Sequence, residues 1–237
     1  MISHAHDRGL FVALEGIDGS GTTTQARLLV EQLAKAGHPA HLTQEPSSGP
    51  VGRLLRDVLR GEWKMPSAGT ALLFAADRLH HLNDEILPRL DEGQHVVSDR
   101  YLLSSLAYQG LECEHAWVEA INRQAIIPDL TVFLRIHPAR AAQRRASRGD
   151  AAEIFETDRF QQRVAERYED LLQPEARSAT WDLLQGRWQR SRRSLGDDDA
   201  RIGEVAVIEG DASPEGIHNS IFALLGALEA LRGEERS

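Results

Sequence analysis

The sequence predicts a three-layer α/β fold, in which a parallel sheet of about five strands is flanked by helices on both faces. Short apolar runs of strand length alternate along the chain with longer segments that repeat apolar residues at helical spacing. This alternation is typical of a parallel sheet, because each parallel neighbour is reached through a crossover helix. A chain of 237 residues, 41% of them hydrophobic, has enough apolar surface for one such domain, so we expect a single domain over residues 1–237.

The expected elements begin with a strand, a glycine-rich turn and a helix. Residues 10–15 form a short apolar run, and residues 23–36 repeat Ala26, Leu29 and Leu33 at helical spacing before Gly37. The other expected elements are, in chain order, a strand at 41–43, helices at 51–59, 68–82 and 83–92, strands at 95–98 and 130–136, helices at 139–147 and 157–172, a strand at 204–209 and a helix at 214–231.

One region, residues 173–203, interrupts the alternation. It contains two tryptophans, a basic run from Arg187 to Arg193 and three consecutive aspartates from Asp197 to Asp199. We interpret it as a charged insertion, partly helical or mobile, for which a solvated loop is the simplest explanation.

Composition disfavours several classes of function. The formal net charge of −9 argues against a nucleic acid polymer as partner. No apolar run of about 18 residues indicates a membrane span, and residues 1–9 lack the apolar centre of a secretory signal. The single cysteine, Cys113, cannot form an internal disulfide and has no activating pattern around it, so we expect a cytoplasmic protein and no cysteine nucleophile.

The main motif is Gly-Ile-Asp-Gly-Ser-Gly-Thr-Thr at residues 16–23, between a predicted strand and a predicted helix. Glycines at this spacing let backbone N–H groups converge on a phosphate, and the helix dipole adds to the attraction. Thr22 stands where such phosphate loops have lysine. A plain tight turn of another α/β fold is therefore the alternative interpretation of this segment alone. The expected phosphate-binding residues are Gly16, Ile17, Asp18, Gly19, Ser20, Gly21, Thr22, Thr23 and Thr24.

Together with this loop, several segments resemble those of thymidylate kinases, which are P-loop nucleoside monophosphate kinases. The resemblance covers about residues 11–172 and 205–231. Three departures from the family pattern are Thr22, Gln44 where the family often has arginine, and the lid sequence at 151–156. The segments that carry the resemblance, besides residues 11–25, are Glu45-Pro46 with Gly52 and Arg56, Phe74 to Arg78, Asp99-Arg100-Tyr101, Ser104-Ser105, Ala107 to Gly110, Pro128 to Thr131 and Glu209 to Ser213.

The resemblance implies a P-loop fold and transfer of a phosphoryl group from ATP, with Mg²⁺, to thymidine monophosphate. It also implies a homodimer joined through helices of the outer layer. Two alternatives stay open, namely a kinase for another nucleotide and a catalytically weak or silent nucleotide-binding paralogue. Arg100 argues against a nucleoside acceptor, because a guanidinium at the end of a strand suits a phosphate.

Phosphoryl transfer needs two nucleotides held in line and the charge on the moving group neutralised. We expect Thr23 and Asp99 in the shell of the magnesium ion, directly or through water. The lid, residues 140–159, contains an arginine cluster that offers the charge that Thr22 lacks, although a solvated basic helix face is the alternative. The arginines of the cluster are Arg140, Arg144, Arg145 and Arg148, and the expected catalytic residues are Asp18, Arg100, Arg144 and Arg148.

The acceptor nucleotide is expected on the opposite side of the transferred group. Arg100 and Arg56 suit its phosphate, although Arg56 also fits an exposed helix face. Phe74 suits stacking on a base, although core packing explains it equally well on pattern alone. Arg78 lies one helical turn further along the same face. The residues expected at the acceptor are Glu45, Arg56, Phe74, Arg78, Arg100, Tyr101, Ser104, Ser105 and Tyr108.

Overall fold

Five parallel strands form the centre of the computed structural model, in the order β2–β3–β1–β4–β7. The structure describes residues 8–147, 157–172, 179–182, 187–190 and 204–234. These five strands confirm the predicted parallel sheet. The strands are β1 (Phe11–Glu15), β2 (Ala40–Gln44), β3 (His95–Asp99), β4 (Leu130–Arg135), β5 (Ala179–Asp182), β6 (Arg187–Arg190) and β7 (Glu204–Glu209).

Helices cover both faces of this sheet. They are α1 (Thr22–Lys35), α2 (Pro50–Leu59), α3 (Ser67–His81), α4 (Leu87–Asp91), α5 (Leu102–Tyr108), α6 (His115–Ile121), α7 (Pro138–Ala146), α8 (Asp158–Leu171) and α9 (Pro214–Glu234). A π-helical turn at Leu82–Ile86 joins α3 to α4, and a 3₁₀ turn at Gln109–Leu111 follows α5. In the part of the chain that the structure describes, no helix combines the length and apolar character needed to cross a membrane.

The central strand β1 separates two apolar clusters. Its side chains alternate, so that Phe11 and Ala13 pack in a cluster with α5 and α8, while Val12 and Leu14 pack in a cluster with α1 and α9. All five side chains of β1 are buried. A strand buried on both faces reads as a continuous apolar run, which is why the sequence identified β1 easily.

Two parts of the fold differ from the sequence prediction. Within residues 173–203 the described residues are strands, not helix: β5 pairs parallel to β7, and β6 pairs antiparallel to β5, which extends the sheet to seven strands. Helices α5 and α6 were not among the predicted elements. Six of the seven residues of α5 are buried, so it lacks the polar face that gives a helix its sequence period.

Candidate active site

A tight turn between β1 and α1 forms the phosphate loop. Gly19 and Gly21 have φ angles of 93° and 103°, a left-handed backbone that glycine adopts without strain. A Cβ atom at Gly16 would lie 2.6 Å from the Ser20 hydroxyl oxygen, so the loop has no room for a side chain there. Because α1 begins at Thr22, the free N–H groups of its first turn border the same space as the loop.

A cavity of about 710 Å³ opens over this loop. Arg100, Arg144 and Arg145 also line it, so three cations surround the space. The Ser20 hydroxyl is buried without a hydrogen-bond partner among the described residues. Ile17, by contrast, is buried and packs into the core below the loop. The loop residues that line the cavity are Asp18, Gly19, Ser20, Gly21, Thr22, Thr23 and Thr24.

Thr23 and Asp99, the two residues expected at a metal ion, lie in contact. Thr23 Oγ1 donates a hydrogen bond to Asp99 Oδ2 at 2.5 Å, because β1 and β3 are neighbours with Leu14 opposite Asp99. Asp99 Oδ1 is buried and has no hydrogen-bond partner among the residues described. An orphaned carboxylate oxygen beside a threonine hydroxyl fits Mg²⁺, which prefers oxygen ligands and takes only one or two carboxylates.

Arg100 follows β3 in a left-handed backbone conformation, with a φ angle of 71°. Its Nη1 donates to the Gly16 carbonyl at 2.7 Å, and its Nη2 forms an ion pair with Asp18. The guanidinium carbon lies 5.2 Å from the centre of the Tyr108 ring. Burial alone would lower the pKa of Arg100, but Tyr108 and Asp18 raise that pKa well above its ordinary value. Arg100 is therefore a permanent cation attached to the phosphate loop.

Asp18 is held by side chains from two helices. Gln161 of α8 donates to Asp18 Oδ2 at 2.6 Å, and the Asp18 N–H donates to Gln161 Oε1 at 2.9 Å. The Tyr108 hydroxyl, on α5, donates to Asp18 Oδ1 at 3.2 Å. Burial raises the pKa of Tyr108, so its hydroxyl keeps the proton that it donates. The orientation of Asp18 is thus fixed by helix α8, which follows the lid.

A buried carboxylate, Glu15, lies at the end of β1. Its Oε1 accepts from the Tyr101 N–H at 2.9 Å, and its Oε2 accepts from the hydroxyls of Ser104 at 2.5 Å and Tyr168 at 3.0 Å. Burial raises the pKa of Glu15, and the hydrogen bonds from Ser104 and Tyr168 together with the charge of Arg100 oppose that rise. All contacts of this carboxylate join β1 to α8 and to the segment around Arg100.

Lid arginines reach the phosphate loop from α7. Arg144 donates to the Ser20 carbonyl at 3.2 Å and to the Gly210 carbonyl at 2.9 Å. Arg145 donates to the Asp18 carbonyl at 2.6 Å and to Asp158 at 2.5 Å.

The other two lid arginines of the predicted cluster do not share these contacts. Arg140 points elsewhere and lies 3.6 Å from Asp211. Arg148 lies outside the described residues. Of the cluster, the structure therefore brings Arg144 and Arg145 to the donor side.

Among the residues expected at the acceptor, Arg78 is buried in a polar network. Its Nη2 donates to Glu45 Oε2 at 2.6 Å and to Ser105 Oγ at 2.9 Å, and its Nη1 donates to Asn122. The guanidinium carbon lies 5.1 Å from the centre of the Tyr101 ring. The Nε–H of Arg78 is buried without a partner in the described chain, which leaves one donor for a ligand.

Arg56 forms hydrogen bonds with the segment that follows β2, and does not simply lie on an exposed helix face. Its two terminal nitrogens donate to the Pro46 and Ser47 carbonyls, both at 2.7 Å. Asp77 holds the same segment from α3, because its carboxylate accepts from the Ser47 N–H at 2.7 Å and from the Ser47 hydroxyl at 2.6 Å. The Glu45–Pro46 peptide bond is cis. The hydrogen bonds of Arg56 and Asp77 join this segment to both α2 and α3.

The aromatic residues expected at the acceptor differ in exposure. Phe74 is half-buried, and Tyr108 is buried beside Arg100. Tyr101 is fully buried, with its ring edge against Phe11 at 4.8 Å between centres, so the structure places its side chain in the core rather than at the cavity surface. Its backbone N–H, however, helps to fix Arg100 through Glu15.

Comparison with known proteins shows to which family the chain belongs. A family profile described as thymidylate kinase matches residues 14–182. The chain belongs to the thymidylate kinase family. A "Probable thymidylate kinase" of Thermococcus kodakarensis is 35% identical over 237 residues, covering 95% of this chain and 100% of that relative. A protein of the same name from Pyrobaculum aerophilum is 45% identical over 160 residues, covering 67% and 80%, and one from Pyrococcus abyssi is 42% identical over 170 residues, covering 68% and 82%.

Within this thymidylate kinase site, sequence reasoning missed Glu15 and Gln161. Glu15 gave a signal, since it is the one charged residue in an otherwise apolar strand and directly precedes the loop. Gln161 shares the buried face of α8 with Val164 and Tyr168, where a polar residue is unexpected. Its partner Asp18 lies 143 positions away, so no local pattern identifies the pair.

Proposed function

We propose that this protein transfers the γ-phosphoryl group of ATP to thymidine monophosphate, giving thymidine diphosphate and ADP for dTTP supply. One observation carries the proposal: the phosphate loop and Arg100 line the same cavity, and Thr23 of the loop donates a hydrogen bond to the neighbouring Asp99 at 2.5 Å. The loop suits donor phosphates, and Arg100 suits an acceptor phosphate. Family membership supports thymidine monophosphate as that acceptor.

On the donor side, the backbone N–H groups from Asp18 to Thr23 and the start of α1 are the proposed phosphate ligands. Thr23 and Asp99 would hold Mg²⁺, and the unpartnered Asp99 Oδ1 supports this role. When bound, this ion neutralises charge on the donor oxygens. Arg144, with Arg148 of the same lid, is the proposed cation for charge that develops during transfer.

On the acceptor side, Arg100 is proposed to bind the phosphate, and Asp18 keeps its guanidinium oriented through their ion pair. Ser104 and Tyr108 contact that guanidinium.

The proposed base site lies around α3. Phe74 is proposed to stack on the base, and the Nε–H of Arg78 is the donor proposed for a base carbonyl. Ser105 and Glu45 fix Arg78 for that contact, and Arg56 shapes the adjoining segment.

The test is ADP formation from ATP and Mg²⁺ with thymidine, cytidine, adenosine or guanosine monophosphate as acceptor. We expect the highest kcat/KM with thymidine monophosphate, by about tenfold or more, because the site reads a base through a polar contact. An Asp99→Ala protein purified in the same way controls for contaminating kinases and should lose the activity. A higher kcat/KM with another monophosphate would reassign the acceptor, and no turnover with any of them would indicate a nucleotide-binding paralogue.

A homodimer and a cytoplasmic location are further parts of this proposal. Large apolar side chains are exposed on α2, on α3 and in the connection between them, and such a patch suits a second copy of the chain. Cys113 is a free thiol whose pKa is raised by burial and by Glu112, which suits a reducing compartment and an unreactive cysteine. The patch residues are Leu54, Trp63, Met65 and Leu72.

A further inference from the structure

The backbone at Arg100 is strained and must be held by its surroundings. A non-glycine residue with a φ angle of 71° is unfavourable and persists only where neighbouring contacts fix it. The Arg100 N–H donates to the Leu14 carbonyl at 2.8 Å, and the Arg100 carbonyl accepts from the Ser98 hydroxyl at 2.7 Å. The next N–H, that of Tyr101, donates to Glu15 Oε1 at 2.9 Å. Glu15 is the one charged side chain among these three restraints.

The same carboxylate also controls a contact of the guanidinium. Ser104 Oγ donates its single proton to Glu15 Oε2 at 2.5 Å, so its lone pairs remain for Arg100 Nη1, which donates to Ser104 Oγ at 3.2 Å. Tyr168 adds a hydroxyl 3.0 Å from Glu15 Oε2. The acceptor orientation of Ser104 toward Arg100 therefore depends on its hydrogen bond to Glu15, with the Tyr168 hydroxyl as a further neighbour at 2.9 Å.

We infer that Glu15 is a positioning residue for Arg100, acting through the Tyr101 N–H and the Ser104 hydroxyl without touching substrate. Glu15 is fully buried, and neither it nor its partners Tyr101, Ser104 and Tyr168 line the phosphate loop cavity. The inference rests on the proposed function only in taking thymidine monophosphate as the ligand whose binding reports on Arg100.

The variant Glu15→Gln separates the two contacts. The Tyr101 N–H can only donate, so the glutamine oxygen must face it, and the glutamine NH₂ then faces the Ser104 hydroxyl. The hydroxyl must then accept from that NH₂, and its proton turns toward Arg100 Nη1 or toward the Tyr168 hydroxyl 2.9 Å away, so its acceptor contact with Arg100 is no longer fixed. We expect the affinity for thymidine monophosphate to fall about tenfold, while the affinity for ATP stays within about twofold, since a misplaced cation loses its charged hydrogen bond to phosphate.

A double-mutant cycle distinguishes positioning from a general structural role. In the Arg100→Ala background, Glu15→Gln should change the calorimetric Kd for thymidine monophosphate by less than about twofold, because the residue through which it acts is gone. Additive losses in the two backgrounds would overturn the inference. The matched control is Asp129→Asn, since Asp129 accepts the Phe11 N–H at 2.7 Å at the other end of β1. It should leave both affinities within about twofold.

Two further measurements keep the test decisive. If Glu15→Gln does not fold, Ser104→Ala removes the same link, and its failure to weaken binding of thymidine monophosphate would overturn the inference. If the wild-type protein binds no thymidine monophosphate, the proposed function fails, and a crystal structure of ligand-free Glu15→Gln then tests the positioning alone. The Arg100 guanidinium should leave its contacts with Gly16 and Asp18, and an unmoved guanidinium would overturn the inference.

Discussion

Thr22 occupies the lysine position of the phosphate loop and is only 5% exposed at the start of α1. A lysine there would place a point charge at the outer donor phosphates, which a short neutral threonine cannot do. Arg144 reaches this end of the loop, because its guanidinium would lie 4.0 Å from a Cβ atom at Gly21 and donates to the Ser20 carbonyl at 3.2 Å. We therefore expect Arg144 to neutralise charge that lysine neutralises elsewhere.

Thr22→Ala should lower the single-turnover rate by less than about tenfold, because threonine contributes little charge stabilisation. Arg144→Ala should lower that rate by about 10³-fold, the lower end of the effect of an arginine that stabilises phosphoryl transfer. Arg140→Ala is the matched control, since Arg140 lies on the same helix but faces Asp211. A near-normal rate for Arg144→Ala would contradict the hypothesis that Arg144 replaces the lysine charge, and would assign that role to Arg145 or Arg148.

The sequence led us to expect Thr23 and Asp99 in the shell of one magnesium ion, and the structure brings the two side chains into contact. Both residues follow or end strands that are neighbours in a parallel sheet, and the carboxyl ends of such strands meet at one edge. The fixed shape of the site was not predictable in the same way. Gln161 reaches Asp18 across 143 positions, and the left-handed Arg100 depends on a carboxylate 85 positions earlier, so neither follows from local pattern.

Strand β2 forms side-chain hydrogen bonds with the end of α3 and with the π-helical turn that follows it. His41 Nε2 lies 2.7 Å from Glu85 Oε1, and Thr43 Oγ1 lies 2.6 Å from His81 Nε2. The sequence predicted a regular helix over residues 83–92, whereas the structure has a π turn followed by α4. The widened turn places Glu85 against β2 and has no signature in apolar spacing.

The contact of Glu85 makes stability depend on pH. Burial alone would raise the pKa of Glu85, but the hydrogen bonds from His41 and Thr43 and the charge of His81 lower it below its ordinary value. The unfolded chain then binds more protons than the folded chain, so the stabilisation is present above the ordinary glutamate pKa of about 4.3 and is lost as pH falls through the folded pKa. Wild-type protein should therefore lose more free energy of unfolding than Glu85→Gln as pH is lowered from about 5 to about 3.

Urea unfolding at each pH measures this difference. Glu31→Gln is the control, because Glu31 is exposed and pairs with Arg27 along α1. It should change the pH profile less than Glu85→Gln does, since exposed pairs contribute little. Parallel profiles for wild type and Glu85→Gln would show that the contact of Glu85 with β2 does not contribute to folding.

Across the whole chain, charge and apolar surface are unevenly distributed. The chain carries a net charge of −9, yet Arg100, Arg144 and Arg145 surround the phosphate loop, so a small anion meets a local positive field. The exposed apolar patch lies on the helices α2 and α3 and in the connection between them, and it contains none of these three arginines. These two helices also carry Arg56 and Arg78 of the proposed acceptor site.

The patch predicts a homodimer that a single charge should break. Leu54 on α2 and Leu42 on β2 are both 39% exposed, but only Leu54 belongs to the patch with Trp63 and Leu72. Leu54→Glu would bury a carboxylate in the interface, which costs several kcal/mol without a partner. We expect sedimentation at micromolar concentration to show a wild-type dimer, a Leu54→Glu monomer and a Leu42→Glu dimer. A wild-type monomer would refute the assembly, and a dimer that persists in Leu54→Glu would place the interface elsewhere than on this patch.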